Sequence, residues 1–319
     1  LWAIRNFVKT TQSDVVHLND SHAVTGATIA LVGCNRIARV WTKHTTFPLR
    51  GRYKYQWGVD RILCVSRAAQ QTVIECGIRP EQTALIYGAV DEPQLDPFAR
   101  QILLRELNWG PESRLIVCVG NLLACKGHRH VVEAMPAVLS EHPTARLIIA
   151  GEGEERSALE QLVADLKLHQ VVKLLGFRSD ATRLLSAADV VVQPSLAEAL
   201  SLVAIESQML LKPLVATAVG GLAEVVCAKS DSPVAELVQP GSSSDLARGV
   251  NAVLGGGDEQ KHRCRRAKVA ADERFSMSRM VNDVLELYRA VIRARQGDQR
   301  LRTRKFPRKA REYRERSAH

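Results

Sequence analysis

The run Arg114-Leu115-Ile116-Val117-Cys118-Val119-Gly120-Asn121-Leu122 decides the fold. Residues 115–119 are apolar without a break, and a glycine ends them. A strand with no alternation of polar and apolar side chains is buried on both faces, as in a parallel sheet covered by helices. Five similar runs follow at 147–150, 171–175, 189–193, 214–217 and 235–238, separated by amphipathic stretches such as 130–141, 155–168 and 202–211. Strands and helices alternating in this way predict a doubly wound α/β domain. Ligands of such sheets bind at the carboxyl ends of the strands. The segments after Val119, Ala150, Gln193 and Thr217 are therefore the places to look for chemistry.

Upstream the pattern repeats more weakly, with strands expected at 14–18, 37–42, 62–66 and 84–87. Pro93, Pro97 and Asn108-Trp109-Gly110-Pro111 then punctuate the chain around one helix at 98–107. Downstream, helices are expected at 244–254, 258–274 and 277–293. A chain of 319 residues exceeds what one core usually serves. The expected organisation is a first domain at 1–95, a second at 96–276, a helix at 277–296 that packs back towards the first domain, and a basic, disordered tail at 297–319. The first domain is about half a domain short of the second, and the chain opens at Leu1. Both features lead to the expectation of a fragment lacking its first strands.

The longest apolar run has five residues, against roughly 20 for a membrane span and about 7–15 for a signal peptide, so neither is expected. Of the formal charge of +10, residues 293–319 carry +8, with 11 Lys/Arg against 3 Asp/Glu; 33 against 31 remain for everything earlier. The basicity is thus assigned to the tail. The seven cysteines form no C-x-x-C pair and are read as buried thiols, without disulfide or zinc.

The densest candidate segment is Pro194-Ser195-Leu196-Ala197-Glu198-Ala199-Leu200-Ser201-Leu202-Val203-Ala204-Ile205-Glu206. It follows a strand and opens a helix near Ser201, so the amides of Leu202 and Val203 suit a phosphate. Glu198 precedes that helix and Glu206 lies in its second turn, where both can reach one ligand. A solvated loop glutamate with a surface helix glutamate fits the same residues. Gly120, Gly220 and Gly221 at strand ends would let a backbone approach phosphate or sugar, with a simple turn as the other reading.

This segment resembles the Glu, seven residues, Glu signature of the retaining glycosyltransferases of family 4. Further resemblance lies in Val119-Gly120-Asn121-Leu122 through Lys126-Gly127, Gly151-Glu152-Gly153, Leu175-Gly176-Phe177, Ala187-Ala188-Asp189-Val190 and Val215 through Glu224, so that it runs from about Asp14 to Tyr288. It implies the GT-B fold, two facing Rossmann-like domains with doubly wound parallel sheets, here with the first, acceptor-side domain incomplete. By resemblance Glu198 holds hydroxyls of the donor sugar, Glu206 grips the ribose, and Lys126 neutralises the donor pyrophosphate. Asn121 stands where the family has Arg, so one phosphate cation is missing. Gly120, Leu202 and Val203 join the donor site, and Arg178 lies in the loop that faces the base. His44, at a strand end, resembles the histidine that hydrogen-bonds sugar or phosphate; Glu198, His44 and Lys126 form the catalytic set. Asp20 and His22 are acceptor-side candidates, with loop hydrogen bonds as the alternative. Glu224 is expected to brace a helix more than to touch donor, and Leu211 stands where the family often has Gly.

The implied activity is transfer of a sugar, with retention, from a nucleotide diphosphate sugar to an acceptor hydroxyl, in glycan, lipopolysaccharide or glycolipid synthesis. The implied partners are a nucleotide-sugar donor and a glycan or lipid-linked acceptor, with no metal and no cofactor, in the cytoplasm or on the inner face of a membrane. A GT-B epimerase or phosphorylase shares the fold, and a non-catalytic binding protein that uses the basic tail is the third reading. The tail itself is either a solvated end or a contact with an anionic membrane. With only Phe306 and Tyr313 as aromatics it is too poor in rings for nucleic acid.

Overall fold

The computed structural model describes residues 1–227 and 233–305, with side chains to residue 296. It divides into two compact units. The first comprises Leu1–Cys64, Gln70–Ile86 and the chain from Val281 on; the second comprises Val65–Ala69 and Tyr87–Met280.

In the first unit α1 (Trp2–Thr10) leads to β1 (Val15–Leu18), α2 (Ser21–Ala30), β2 (Ala38–Lys43), α3 (Tyr53–Gly58), β3 (Arg61–Cys64), α4 (Arg67–Glu75, whose first turn is counted with the second unit) and β4 (Thr83–Leu85). The four strands are parallel in the order β1-β2-β3-β4. All six residues of β2 are buried, Arg39 and Lys43 among them, so charges inside this sheet need partners. The Arg39 guanidinium donates to the Leu31 carbonyl at 2.8 Å, and Asp60 accepts from the Arg39 backbone amide at 2.8 Å and from the Arg295 guanidinium at 2.7 Å. His17 at the end of β1 spends both ring nitrogens on hydroxyls, those of Thr42 and Tyr288. Arg295 and Tyr288 thereby fasten the last helix to this sheet.

The second unit runs through α5 (Ala99–Glu106), β5 (Arg114–Val119), α6 (His128–Glu141), β6 (Ala145–Ala150), α7 (Arg156–Asp165), β7 (Val172–Gly176), α8 (Ala181–Ala187), β8 (Val190–Gln193), α9 (Leu202–Met209), β9 (Leu214–Thr217), α10 (Gly220–Val226), β10 (Glu236–Val238), α11 (Ser243–Leu254) and α12 (Asp258–Phe275). Its six strands are parallel in the order β10-β9-β8-β5-β6-β7. Two apolar clusters form its core: Val117, Ile148, Val191 and Ala216 belong to one, Ile116, Ile149, Val192 and Val215 to the other. Successive strand residues point to opposite faces, so each strand feeds both clusters. That double burial is why these strands lack polar alternation. The order reverses between β5 and β8, since β5 pairs with β6 on one side and β8 on the other. A crevice opens at the carboxyl ends of strands at such a reversal.

Two expectations change. The last helix, α13 (Met277–Lys305), runs nine residues past the boundary expected at 296. Its extension is mostly Arg, Gln and Lys, good helix formers interrupted by one Gly. The rest of the expected tail, 306–319, lies outside the described residues. Of the seven cysteines only Cys64, Cys118 and Cys264 are buried, and Cys227 is exposed; those three sit on core faces of strands or helices and the others do not. Among the described residues no helix is long and apolar enough to cross a membrane.

Candidate functional site

The loop after β5 and the loop after β8 are bonded to each other. The amides of Leu196 and Ala197 donate to the Cys125 carbonyl at 2.8 and 3.3 Å. The approach is so close that a Cβ on Gly127 would stand 2.2 Å from the Pro194 oxygen; Gly127 also has φ +68°, so both space and backbone demand glycine. This contact brings Lys126 and Glu198, 72 residues apart in sequence, into an ion pair of 2.6 Å. Glu198 is 9% exposed and also accepts from the Ser195 hydroxyl at 3.1 Å. Ser195 is held in turn by Thr217, whose hydroxyl donates to its carbonyl at 2.6 Å. A cation and a carboxylate thus stand side by side at the strand-order reversal, able to meet an anion and hydroxyls of one ligand.

Next to this pair α9 begins at Leu202. Ser201 is its N-cap and accepts from the Ala204 amide at 3.2 Å, which leaves the Leu202 and Val203 amides ahead of the first capped turn. Glu206, one turn further, is half-buried, and desolvation raises its carboxyl above the usual range. Among the described residues no salt bridge reaches it. Such a carboxylate suits ligand hydroxyls as partners.

Gly220 and Gly221 do not face open space for a ligand. Their added Cβ atoms would stand 2.3 Å from the Glu198 oxygen and 1.6 Å from the Ala199 oxygen. The Gly221 amide donates to the Glu198 carbonyl at 2.8 Å, so these glycines admit the protein's own backbone and seat the Glu198 loop. Glu224 is a brace. It accepts from the amides of Arg67 and Ala68 at 3.0 and 2.9 Å and from the Tyr87 hydroxyl at 2.8 Å.

The other expected residues are dispersed. Gly120 and exposed Asn121 follow β5 in the same crevice. Arg178 is locked between Asp180, at 2.8 Å, and Glu106, so its charge is already matched. Asp20 is the N-cap of α2, accepting from the amides of His22 and Ala23, and the His22 side chain is exposed. His44, exposed just past β2, lies 3.4 Å from the Asn19 side-chain oxygen. Asp20, His22 and His44 belong to the first unit, whereas Lys126, Glu198, Leu202, Val203 and Glu206 belong to the second. Sequence reading passed over His128, which is 4% exposed beside Gly120; a lone histidine at a helix start carried no signal. Among the described residues no group of three or more His, Cys, Asp or Glu is placed to hold a metal ion.

The family described as "Glycosyl transferases group 1" matches residues 99–270, more than half of the chain, and "Glycosyltransferase Family 4" matches residues 1–93. An uncharacterized glycosyltransferase of Methanocaldococcus jannaschii, MJ1607, is 29% identical over 239 residues, covering 73% of this chain and 60% of that protein. The GPI3 subunit of phosphatidylinositol N-acetylglucosaminyltransferase from Saccharomyces cerevisiae is 25% identical over 235 residues, covering 70% of this chain and 48% of that protein. The chain therefore spans about half to three fifths of the length of these relatives. Anabaena Alr3699/HepE, solved in complex with UDP and glucose, superposes with a TM-score of 0.78 at 23% identity, covering 89% of this chain and 80% of that one; at this identity the likeness establishes the GT-B fold alone. With the parallel sheets of its two units, the chain belongs to the glycosyl transferases group 1, within family 4.

Proposed function

We propose that the protein transfers a sugar, with retention, from a nucleotide diphosphate sugar to an acceptor hydroxyl, and that the second unit binds the donor. The observation that carries this reading is the Lys126–Glu198 pair at the β5/β8 reversal. Departure of a nucleoside diphosphate leaves negative charge on its oxygens while positive charge grows at the anomeric carbon. A preorganised cation and amides at the departing oxygens stabilise that state more than the ground state. Lys126 and the Leu202 and Val203 amides take this task. Glu198 holds sugar hydroxyls, and Glu206 accepts from the ribose. His44, Asp20, His22 and Arg178 are assigned to sugar, acceptor and base by resemblance only.

The complex of Alr3699/HepE with UDP and glucose favours a UDP-sugar as the first donor to try. The phosphatidylinositol in the name of the GPI3 relative favours a lipid-linked acceptor, and the basic tail an anionic membrane surface. The test is calorimetric binding of UDP, GDP and ADP to the protein, followed by turnover of the corresponding sugars with lipid acceptors. Lys126→Ala is expected to weaken diphosphate binding at least tenfold. Glu198→Gln is expected to lower turnover at least a hundredfold, with a product whose anomeric configuration matches the donor. Unchanged binding and turnover in both variants would refute the assignment.

A further inference from the structure

Glu198 is held at one of its two carboxylate oxygens. The Lys126 ammonium donates to Oε2 at 2.6 Å, and the Ser195 hydroxyl donates to the same oxygen at 3.1 Å. Among the described residues no hydrogen bond or ion pair reaches Oε1. Oε1 is not one of the fully buried polar atoms that lack a partner, so within this largely buried residue it keeps contact with solvent. A carboxylate fixed in this way turns one defined oxygen outward, where it can accept from a ligand hydroxyl.

The two donors to Oε2 differ in how firmly they stand. Lys126 is partly exposed and spends one of its three N–H groups on Glu198, with no other partner among the described residues. Its flexible stem lets the ammonium turn towards an anion, and its bond to Glu198 then lengthens. Ser195 cannot follow. It is buried, its carbonyl accepts from the Thr217 hydroxyl at 2.6 Å, and Thr217 is itself buried at the end of β9. The Pro194 carbonyl beside it is packed against Gly127. Its one hydroxyl proton goes to Oε2 from a fixed place.

We propose that Ser195 is a positioning residue. It keeps Oε2 of Glu198 turned inward, and Oε1 presented to the hydroxyls of the bound sugar, when Lys126 shifts its charge to the departing diphosphate. The identity of that ligand rests on the reading given under Proposed function. The ion pair alone would let the carboxylate swing with a moving ammonium; the hydroxyl supplies the second, rigid point that a group acting on a reacting sugar needs.

The test is a double-mutant cycle of Ser195→Ala with Glu198→Ala, joined by Ser195→Cys, with thermal unfolding as the fold control. UDP, GDP and ADP serve as calorimetric probes and their glucose esters as substrates. In Ser195→Ala the affinity for the nucleoside diphosphate, which lacks the transferred sugar, should change less than twofold, while kcat falls about tenfold. Cys keeps the size and a weak donor, and should recover part of the loss. In the Glu198→Ala background the hydroxyl has nothing to position, so its removal should cost less than twofold more. Should the Ala variant fail to fold, Ser195→Cys carries the comparison in both backgrounds. Equal losses in the two backgrounds, a loss of diphosphate affinity that matches the loss of kcat, or Cys no better than Ala would each overturn the proposal and leave the donor reading standing. A wild type that binds none of the diphosphates and turns over none of the sugars refutes the donor reading, and the proposal falls with it.

Discussion

Asn121 stands in the crevice one residue after Gly120, exposed and offering only an amide where the family resemblance places Arg. An arginine there would add a charge and a two-pronged donor suited to phosphate. Asn121→Arg is expected to tighten UDP binding about tenfold, measured by calorimetry at fixed salt; no gain would place the phosphates elsewhere. His128 supplies a second, independent expectation. Burial, reinforced by Lys126, pushes its imidazole from 6.5 down to about 4. Between those values the unfolded chain takes up a proton that the native ring refuses, so stability should fall as pH drops from about 6.5 to about 4 and change no further below. The contribution is on the order of 3 kcal/mol. Urea unfolding at pH 7 and pH 4.5 should show a smaller drop for His128→Gln than for wild type; equal drops would show that the ring is not held neutral. Neither residue was fully legible beforehand. Asn121 stood out because a motif surrounds it, whereas the burial of His128 follows from how α6 packs behind the β5 loop, which a lone histidine at a helix start does not announce.

The helices stop by one repeated device, which motif reading registered at a single position. Helix α9 ends with Leu211 at φ +57°, its amide donating to Gln208 O and that of Lys212 to Ser207 O. Such paired bonds around a left-handed residue form a Schellman cap. Helices α1, α5 and α7 end the same way at Gln12, Asn108 and Lys167, all with positive φ. Helix α4 places a glycine, Gly77, at this position, and after α11 Gly256 stands there with positive φ and its amide donating to Val253 O. A side chain in the left-handed region costs roughly 1–2 kcal/mol, part of which glycine gives back through greater freedom in the unfolded chain. Leu211→Gly is therefore expected to stabilise the chain by about 0.5–1 kcal/mol, Lys167→Gly by a similar amount, and the pair additively, since they cap different helices. A lowered unfolding midpoint for either variant would contradict this account. Strands were easier to locate than these ends. Residues 115–119, 147–150 and 214–217 could be read because burial on both faces admits only apolar side chains. A helix end depends on backbone dihedrals that Leu, Lys and Gln do not advertise. The same limit explains Gly220 and Gly221: two glycines announce a close approach, but not that the approaching atoms are the carbonyls of Glu198 and Ala199.

Charge belongs to the scale of the whole chain, and there the assignment of all basicity to the tail does not hold. Residues 1–59 contain eight Lys/Arg and two acids, Asp14 and Asp20, a net of +6. Residues 60–292 hold the remaining 25 Lys/Arg against 29 Asp/Glu, a net of −4 that hid the first excess in the sum. This basic stretch also carries exposed Phe47, Tyr53 and Trp57, with Arg50 and Arg52 between them. Exposed rings beside cations suit the interface of an anionic bilayer, where each Lys or Arg contributes roughly 1 kcal/mol near the surface. The proposed lipid-linked acceptor makes that surface relevant, and both basic regions are then candidates for the contact. Removal of residues 297–319 should weaken co-sedimentation with vesicles rich in anionic lipid without abolishing it. The combined replacement of Arg50, Arg52 and Trp57 by Gln in the truncated chain should remove most of what remains. High salt should release the full chain, because screening confines these attractions to about 8 Å. Complete loss on truncation alone would return the contact to the tail, and undiminished binding to neutral vesicles would mean that charge does not drive it.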